Sequence, residues 1–340
     1  MKKTLSIIAL GALGWLGTAP ANAQSDQGDE RAATSAASYL LLPTSARTAA
    51  LGNSLTGGLQ GLSGIEAAAS NPGALTSTTG TTALFSRTEY VADIGINHFG
   101  VAQPVGAGAI ALTVTSWDFG DIPLTDAETN SDPSSLTYDA SATIVGGSYA
   151  RQFTDRISAG LTAKFVNEQI DDMNASSVAF DAGINYEVGE SGLQFGVSLR
   201  NFGGKMKFGG NGLRSASGNN GAPQITDAEE FELPSLLNFG ASYTRQFAGD
   251  LSASATGNFR ANAYDQQQFA GGVELGYGDL VFVRGGVDVV PDQDQTFYQG
   301  WNAGAGVNLD LGGSRIVVDY AYRATDLFDG VNMFTAAVSL

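Results

Sequence analysis

The stretch QFAGGVELGYGDLVFVRGGVDV, residues 268–289, decides how the chain is read. Phe269, Gly271, Val273, Leu275 and Tyr277 alternate with Gln268, Ala270, Gly272, Glu274 and Gly276. A Gly278-Asp279 turn follows, then a second run with Arg284 and Asp288 in its polar phase. Successive side chains of a strand point to opposite faces, so a period of two means a strand with one apolar and one polar face. Outward from this hairpin the pattern recurs. Ala303, Ala305, Val307, Leu309 and Leu311 interleave with Asn302, Gly304, Gly306, Asn308 and Asp310. Ile316, Val318, Tyr320 and Tyr322 interleave with Arg315, Val317, Asp319 and Arg323, and Ile157 to Phe165 behaves alike.

The whole pattern predicts about fourteen strands, an even count within the range of roughly 8 to 26 for bacterial outer-membrane barrels. They fall near residues 81–89, 93–103, 106–118, 137–153, 156–170, 175–188, 192–203, 232–247, 250–262, 267–277, 280–290, 296–311, 314–323 and 331–340. A soluble β-sandwich alternates too, so three further features decide. The polar face is rich in glycine and in small or charged groups, as a hydrated lumen allows. The apolar face often ends in Phe or Tyr, as in the aromatic girdles of membrane barrels. Connections alternate in length: short turns at Pro104-Val105, Thr154-Asp155, Gly189 to Ser191, Ala248-Gly249, Gly278-Asp279 and Gly312-Gly313, and long links at Phe119 to Leu136, Gly204 to Phe231, Pro291 to Gln295 and Ala324 to Gly330. The expected fold is all-β: a transmembrane antiparallel β-barrel over 81–340.

The N-terminal quarter breaks the pattern. Lys2 and Lys3, the apolar stretch Leu5 to Leu16 and Ala21-Asn22-Ala23 read as a signal peptide over 1–23 with its cleavage site. Residues 24–80 read as a periplasmic tail followed by a small plug. In the plug, Tyr39 to Leu42 is apolar, Gly52 to Gly64 is glycine-spaced, and Glu66 to Ala69 makes a helical turn stopped by Asn71-Pro72. Tyr39 to Leu42 and Leu51 to Leu62 are the candidates to line an enclosed apolar site.

Composition narrows the chemistry. Of 340 residues 45 are glycine, none is cysteine and one, His98, is histidine. Thiolate metal sites, disulfides and multi-histidine sites are therefore excluded. The net charge of -17 disfavours nucleic acid. His98 sits between Asn97 and Phe99 on a strand, and no G-x-S-x-G elbow or G-x-x-x-x-G-K loop occurs. The reading is no enzyme, no cofactor and no metal. The acidic clusters Asp171-Asp172, Glu229-Glu230 and Asp292 with Asp294 lack the calcium-loop pattern and read as solvated external loops. Lys164, Arg200, Glu274, Arg284, Asp288, Asp310, Arg315, Asp319 and Arg323 fall in the lumen phase. Opposite signs on neighbouring strands suit them to hold a plug by ion pairs.

The stretch Tyr39-Leu40-Leu41-Leu42-Pro43, then Ala46-Arg47, Leu51-Gly52 and Asn71-Pro72-Gly73-Ala74-Leu75, resembles the start of the PorV/PorQ family of FadL-like outer-membrane barrels. The similarity continues through Tyr149 to Arg156, Lys164, Phe180-Asp181-Ala182-Gly183, Asn201-Phe202-Gly203 and Met206-Lys207-Phe208. Gly73 and Leu51 depart from it, standing where the family usually has Ala and Met. The resemblance implies that Pro43, Arg47, Gly52, Asn71 and Pro72 belong to a plug motif. It also implies a role in type IX protein secretion and surface attachment, with secreted cargo and other secretion components as partners. Its FadL-like side implies the alternative, transport of long-chain fatty acids or other hydrophobic compounds. For the first role the long loops are the expected partner surface, with Phe208, Leu213 and Phe231 as apolar contacts. The expected location is the outer membrane, with its lipid around the wall.

Overall fold

The computed structural model describes residues 35, 37–123, 137–215, 224–225, 227–247, 249–264, 266–291, 297–326 and 328–340. The expected signal peptide lies outside these, as do residues 124–136 and 216–223 of the two longest loops and Asp292 and Asp294. Fourteen long strands form a closed antiparallel barrel. They are β1 (Thr82–Glu89), β2 (Gly95–Val105), β3 (Gly108–Pro123), β4 (Thr137–Thr154), β5 (Ile157–Ile170), β6 (Met173–Glu187) and β7 (Leu193–Gly203). The second half comprises β8 (Leu236–Gln246), β9 (Leu251–Asn262), β10 (Gln268–Tyr277), β11 (Val281–Val289), β12 (Tyr298–Leu311), β13 (Ser314–Thr325) and β14 (Val331–Ser339). Each strand pairs with the next, and β14 closes on β1 from Thr82↔Ser339 to Glu89↔Asn332. Closure removes every sheet edge, which a wall in lipid requires because no water is there to satisfy free backbone groups.

The expected strands are all present, with small shifts at their ends. Two turns move: β2 continues through Pro104 and Val105 and turns at Gly106-Ala107, and the β4–β5 hairpin turns at Asp155-Arg156. The alternation of connection length fails once. Asp171-Asp172, expected in an external loop, is a two-residue turn between β5 and β6 on the loop side. Asp171 adopts φ 50, a conformation that aspartate tolerates because its short side chain can bond local backbone.

Burial follows the period-two reading. Leu161, Phe165, Val273, Leu275, Val283 and Leu309 are exposed on the outer face, whereas Thr162, Glu274, Arg284 and Asn302 point inward and are buried. Aromatic residues mark both ends of the outer face: Tyr149, Tyr186, Tyr243 and Tyr277 near the short turns, and Phe202, Phe259, Phe269 and Trp301 near the loops. This is the outer surface of a membrane β-barrel.

Residues 37–78 lie against the inner face. Helix α1 (Ala46–Ala50), capped by the Ser45 hydroxyl, packs on β11 to β14. The turn Leu55–Gly57 packs on β7 to β9. Helix α2 (Gly64–Ser70), capped by Ser63, packs on β2, and the 3-10 turn Pro72–Ser77 packs on β3 to β6. The segment thus touches the wall nearly all the way round.

This contact corrects the reading of the inward glycines. They do not line open water. A side chain at Gly240 would strike the backbone nitrogen of Gly57 at 2.5 Å, and one at Gly272 would strike Leu51 at 2.8 Å. Gly160 faces Pro72, Gly183 faces Asn71, Gly196 faces Thr56 and Gly286 faces Leu51 and Gly52 in the same manner. A wall without Cβ atoms lets the segment's backbone approach the strands. Asn71 exploits that closeness: its amide donates to Thr56 O and to Ile184 O, both at 2.9 Å.

Candidate binding cavity inside the barrel

Between the segment and strands β2 to β7 lies a cavity towards the loop end. Tyr39, Leu40, Leu42, Ile65 and Ala68 line it from the segment, and Ala111, Trp117, Ile144, Lys164, Asp181 and Arg200 from the wall. Its volume is about 80 Å³, counted as space open to the centre of a water molecule, so it holds several waters or one compact organic molecule. The sequence expectation for an apolar site is met in part. Tyr39, Leu40 and Leu42 are there, but Leu51, Leu55, Leu59 and Leu62 form a closed cluster with Ala67 and Ala74.

The cavity has an apolar body and a charged end. Trp117 stacks with Phe119 and meets Tyr39 and Tyr90, their ring centroids lying 5.5 to 5.9 Å apart. The Tyr39 hydroxyl donates to Glu168 at 3.2 Å. Burial beside that carboxylate raises its pKa well above the usual phenol range, so Tyr39 stays a neutral donor. At the charged end, Lys164 is 2.5 Å from Asp181 and also donates to Asn201 Oδ1 at 2.8 Å. Asp181 in turn accepts from the Asn201 backbone nitrogen at 2.7 Å. Asn201 has φ 56 and stands at a register shift between β6 and β7, a bulge that aims neighbouring side chains inward. Arg200, beside it, is 8% exposed; it donates to Leu40 O at 3.4 Å, while its Nε has no partner among the described residues. Two cations therefore face one anion at one end of a cavity that Thr113, Thr115, Ser148 and Thr162 line together with its apolar side chains.

His98 also lines the cavity. Its Nδ1 meets the Thr115 hydroxyl of the adjacent strand at 2.8 Å. That leaves it a wall residue bound to a hydroxyl rather than oriented by a carboxylate.

The remaining lumen charges form two further groups. Nearer the short turns, Arg47 of α1 makes a two-point contact with Glu274, at 2.8 and 2.7 Å. Glu274 also receives Arg284 at 2.5 Å, and Arg284 continues to Asp319. Nearer the loops, Asp288 lies 4.0 Å from Arg260 and 3.9 Å from Arg323. Asp310 and Arg315 are not in the lumen. They face each other on the last rung but one before the Gly312-Gly313 turn, their side chains 78% and 42% exposed, because the wall at that height stands clear of the segment. Of the plug-motif residues, Arg47, Gly52, Asn71 and Pro72 all touch the wall, and Pro43 follows the cavity-lining Leu42. Arg260, Asp181 and Glu66 were missed as candidates. The first two stand in the inward phase of β9 and β6, so the period-two rule applied strictly would have included them.

The loop after β7 turns inward. Met206 is fully buried in a cluster with Leu40, Trp117, Val166 and Leu233, and Phe208 packs on that cluster. Phe231 pairs with Met206 in a short two-stranded ladder, leaving Leu213 half-buried. The described part of this loop folds over the mouth.

No family model matches the chain, and no curated protein matches its sequence. Solved structures do match its fold. The Pseudomonas putida toluene transporter TodX is 12% identical with a TM-score of 0.54, over 86% of this chain and 96% of that one. A Pseudomonas aeruginosa FadL homologue is 14% identical with a TM-score of 0.52, over 87% and 97%. The Ralstonia pickettii toluene transporter TbuX is 13% identical with a TM-score of 0.51, over 86% and 96%. The chain therefore has the barrel fold of the FadL-like hydrocarbon channels.

Proposed function

We propose that the chain is an outer-membrane channel for small hydrophobic compounds, with residues 37–78 as its plug. One observation carries the reading: a cavity with an apolar, aromatic body and a charged end lies between plug and wall, beneath a loop folded over the mouth. Enclosed apolar pockets with a few convergent polar groups are the usual form of a small-molecule site. A second, polar cleft lies at the short-turn end, lined by Gln60, Glu187, Gln194 and Arg245. The fold's neighbours in this architecture include proteins described as toluene transporters.

Trp117 supplies the assay. The chain has three tryptophans, Trp15 in the signal stretch, Trp117 at the cavity and Trp301 on the outer face. In a Trp301→Phe background the fluorescence of the mature barrel reports Trp117 alone. A bound compound is expected to shift it, and Ala68→Phe, which fills the cavity, is expected to abolish the shift. An unaltered titration in Ala68→Phe would place the ligand elsewhere.

The charged end predicts which compounds bind. An acidic compound gives Arg200 Nε a partner, and a hydrogen bond to a charged group contributes about 1.5–3 kcal/mol. Aryl or alkyl carboxylates are therefore expected to bind roughly ten- to a hundredfold tighter than neutral analogues of equal size. Arg200→Gln is expected to erase that difference, and equal affinities in the unaltered protein would refute it.

The secretion role implied by the PorV/PorQ resemblance has less support, because Met206 and Phe208 pack into the mouth and are taken from the surface a cargo protein needs. Catalysis is not part of the reading: His98→Ala is expected to keep the barrel and the Trp117 response.

A further inference from the structure

Arg47, Glu66, Glu274, Arg284 and Asp319 form one buried cluster where the helices of the N-terminal segment meet β10, β11 and β13. It holds three carboxylates and two guanidiniums. The guanidiniums are shared unequally. Glu274 receives both Arg47 and Arg284, and Asp319 receives Arg284 through Oδ1 only. Glu66 receives neither and accepts a hydrogen bond from the Ser63 hydroxyl at 3.0 Å. Two carboxylate oxygens are left over: Glu66 Oε1 and Asp319 Oδ2 are buried without a hydrogen-bond partner among the described residues. Their residues are 4% and 1% exposed, so bulk water does not reach them.

We propose that this cluster binds one exchangeable proton, carried by Glu66 beside Asp319, and that the proton holds the N-terminal segment on the wall. With all five groups ionised the buried cluster carries one excess negative charge, which a low-dielectric interior strongly disfavours. One proton makes the cluster neutral and gives the Glu66 carboxyl a donor. Glu66 is the carrier because it alone lacks a guanidinium contact. Burial first, and the Asp319 charge second, raise its pKa above the usual carboxylate range; Arg47 and the hydroxyls of Ser45 and Ser63 oppose the shift. The other titratable groups nearby face elsewhere. His98 on β2 lies on the cavity side of α2, and Asp288 and Arg323 are engaged with each other and with Arg260 nearer the loops.

The sign follows from linkage. The seated segment raises the pKa, so its stabilisation is full below the ordinary carboxylate value of about 4.3 and is lost as pH rises through the raised value. Acid holds the segment and alkali loosens it.

The chain has no cysteine, so one introduced thiol reports the seat cleanly. Ala49 is fully buried between α1 and the wall. Ala49→Cys would be labelled with a membrane-impermeant maleimide between pH 5 and pH 9, alone and combined with Glu66→Gln. Comparing the two backgrounds at each pH cancels the thiol's own titration. The rate with Glu66 present, divided by the rate with Gln, is expected to rise at least tenfold across that range. A constant ratio overturns the proposal. Should Glu66→Gln fail to fold, Asp319→Asn serves in its place, since it also removes the excess charge and is expected to keep the thiol protected at high pH. Labelling of that variant that climbs with pH as in the single Ala49→Cys protein likewise overturns it. Neither readout depends on a transported compound, so this result and the cavity titration above fail independently.

Discussion

Replacing Arg284 by Met is expected to destabilise the barrel by about 3–5 kcal/mol, the cost typical of breaking a buried ion pair from one side. Arg284 is 1% exposed at its side chain and joins Glu274 on β10 to Asp319 on β13. Its guanidinium also lies over the Phe282 ring, 5.3 Å from the centroid. Without it Glu274 keeps Arg47, but Asp319 keeps no cation. The double variant Arg284→Met with Asp319→Leu separates the two possible causes. A buried pair replaced by apolar groups of similar volume is often neutral in stability. The double variant is therefore expected to recover most of the loss in urea midpoint or in the temperature of the gel-mobility shift. If it is as unstable as the single variant, Arg284 matters through packing and not through charge.

That network shows where sequence stops being legible. The strands were readable because each contacts lipid on one face and the lumen on the other, so solvent alone writes a period of two into ten residues of local sequence. Glu274, Arg284 and Asp319 could be assigned to the lumen by phase in this way. Their partner could not. Arg47 lies 227 positions from Glu274, on a segment that has no periodicity, and nothing local joins them. Asp310 and Arg315 failed for the opposite reason. Phase says which way a side chain points but not whether anything stands opposite it, and so close to the Gly312-Gly313 turn the segment no longer does. In the loop after β7 the deciding residue is Met206, whose burial depends on Leu40 and Leu233 arriving from distant parts of the chain, and no local pattern announces that.

The inward glycines carry the last expectation. Gly196→Leu is expected to unseat residues 37–78 and leave an open barrel. A Cβ at position 196 meets Thr56 O and lies 2.7 Å from Asn71 Nδ2, the two groups whose hydrogen bond ties the Leu55–Gly57 turn to the Pro72–Ser77 turn. Backbone cannot rotate away as a side chain can, so the penalty exceeds the roughly 1–3 kcal/mol usual for overpacking a core of side chains. The wall does not share this conflict. Position 196 is paired on both sides, with Asn185 and Gly240, and leucine suits a strand better than glycine does. The two parts are therefore expected to separate: the barrel keeps its strands and the segment loses its seat. In planar bilayers Gly196→Leu should show steady conductance steps where the unaltered chain shows none. Gly257→Leu is the control, since a side chain there meets nothing within 4 Å, and it should remain closed. Steps of equal size in both variants would mean that glycine replacement disturbs the wall itself. A closed Gly196→Leu barrel would mean that something other than residues 37–78 blocks the lumen.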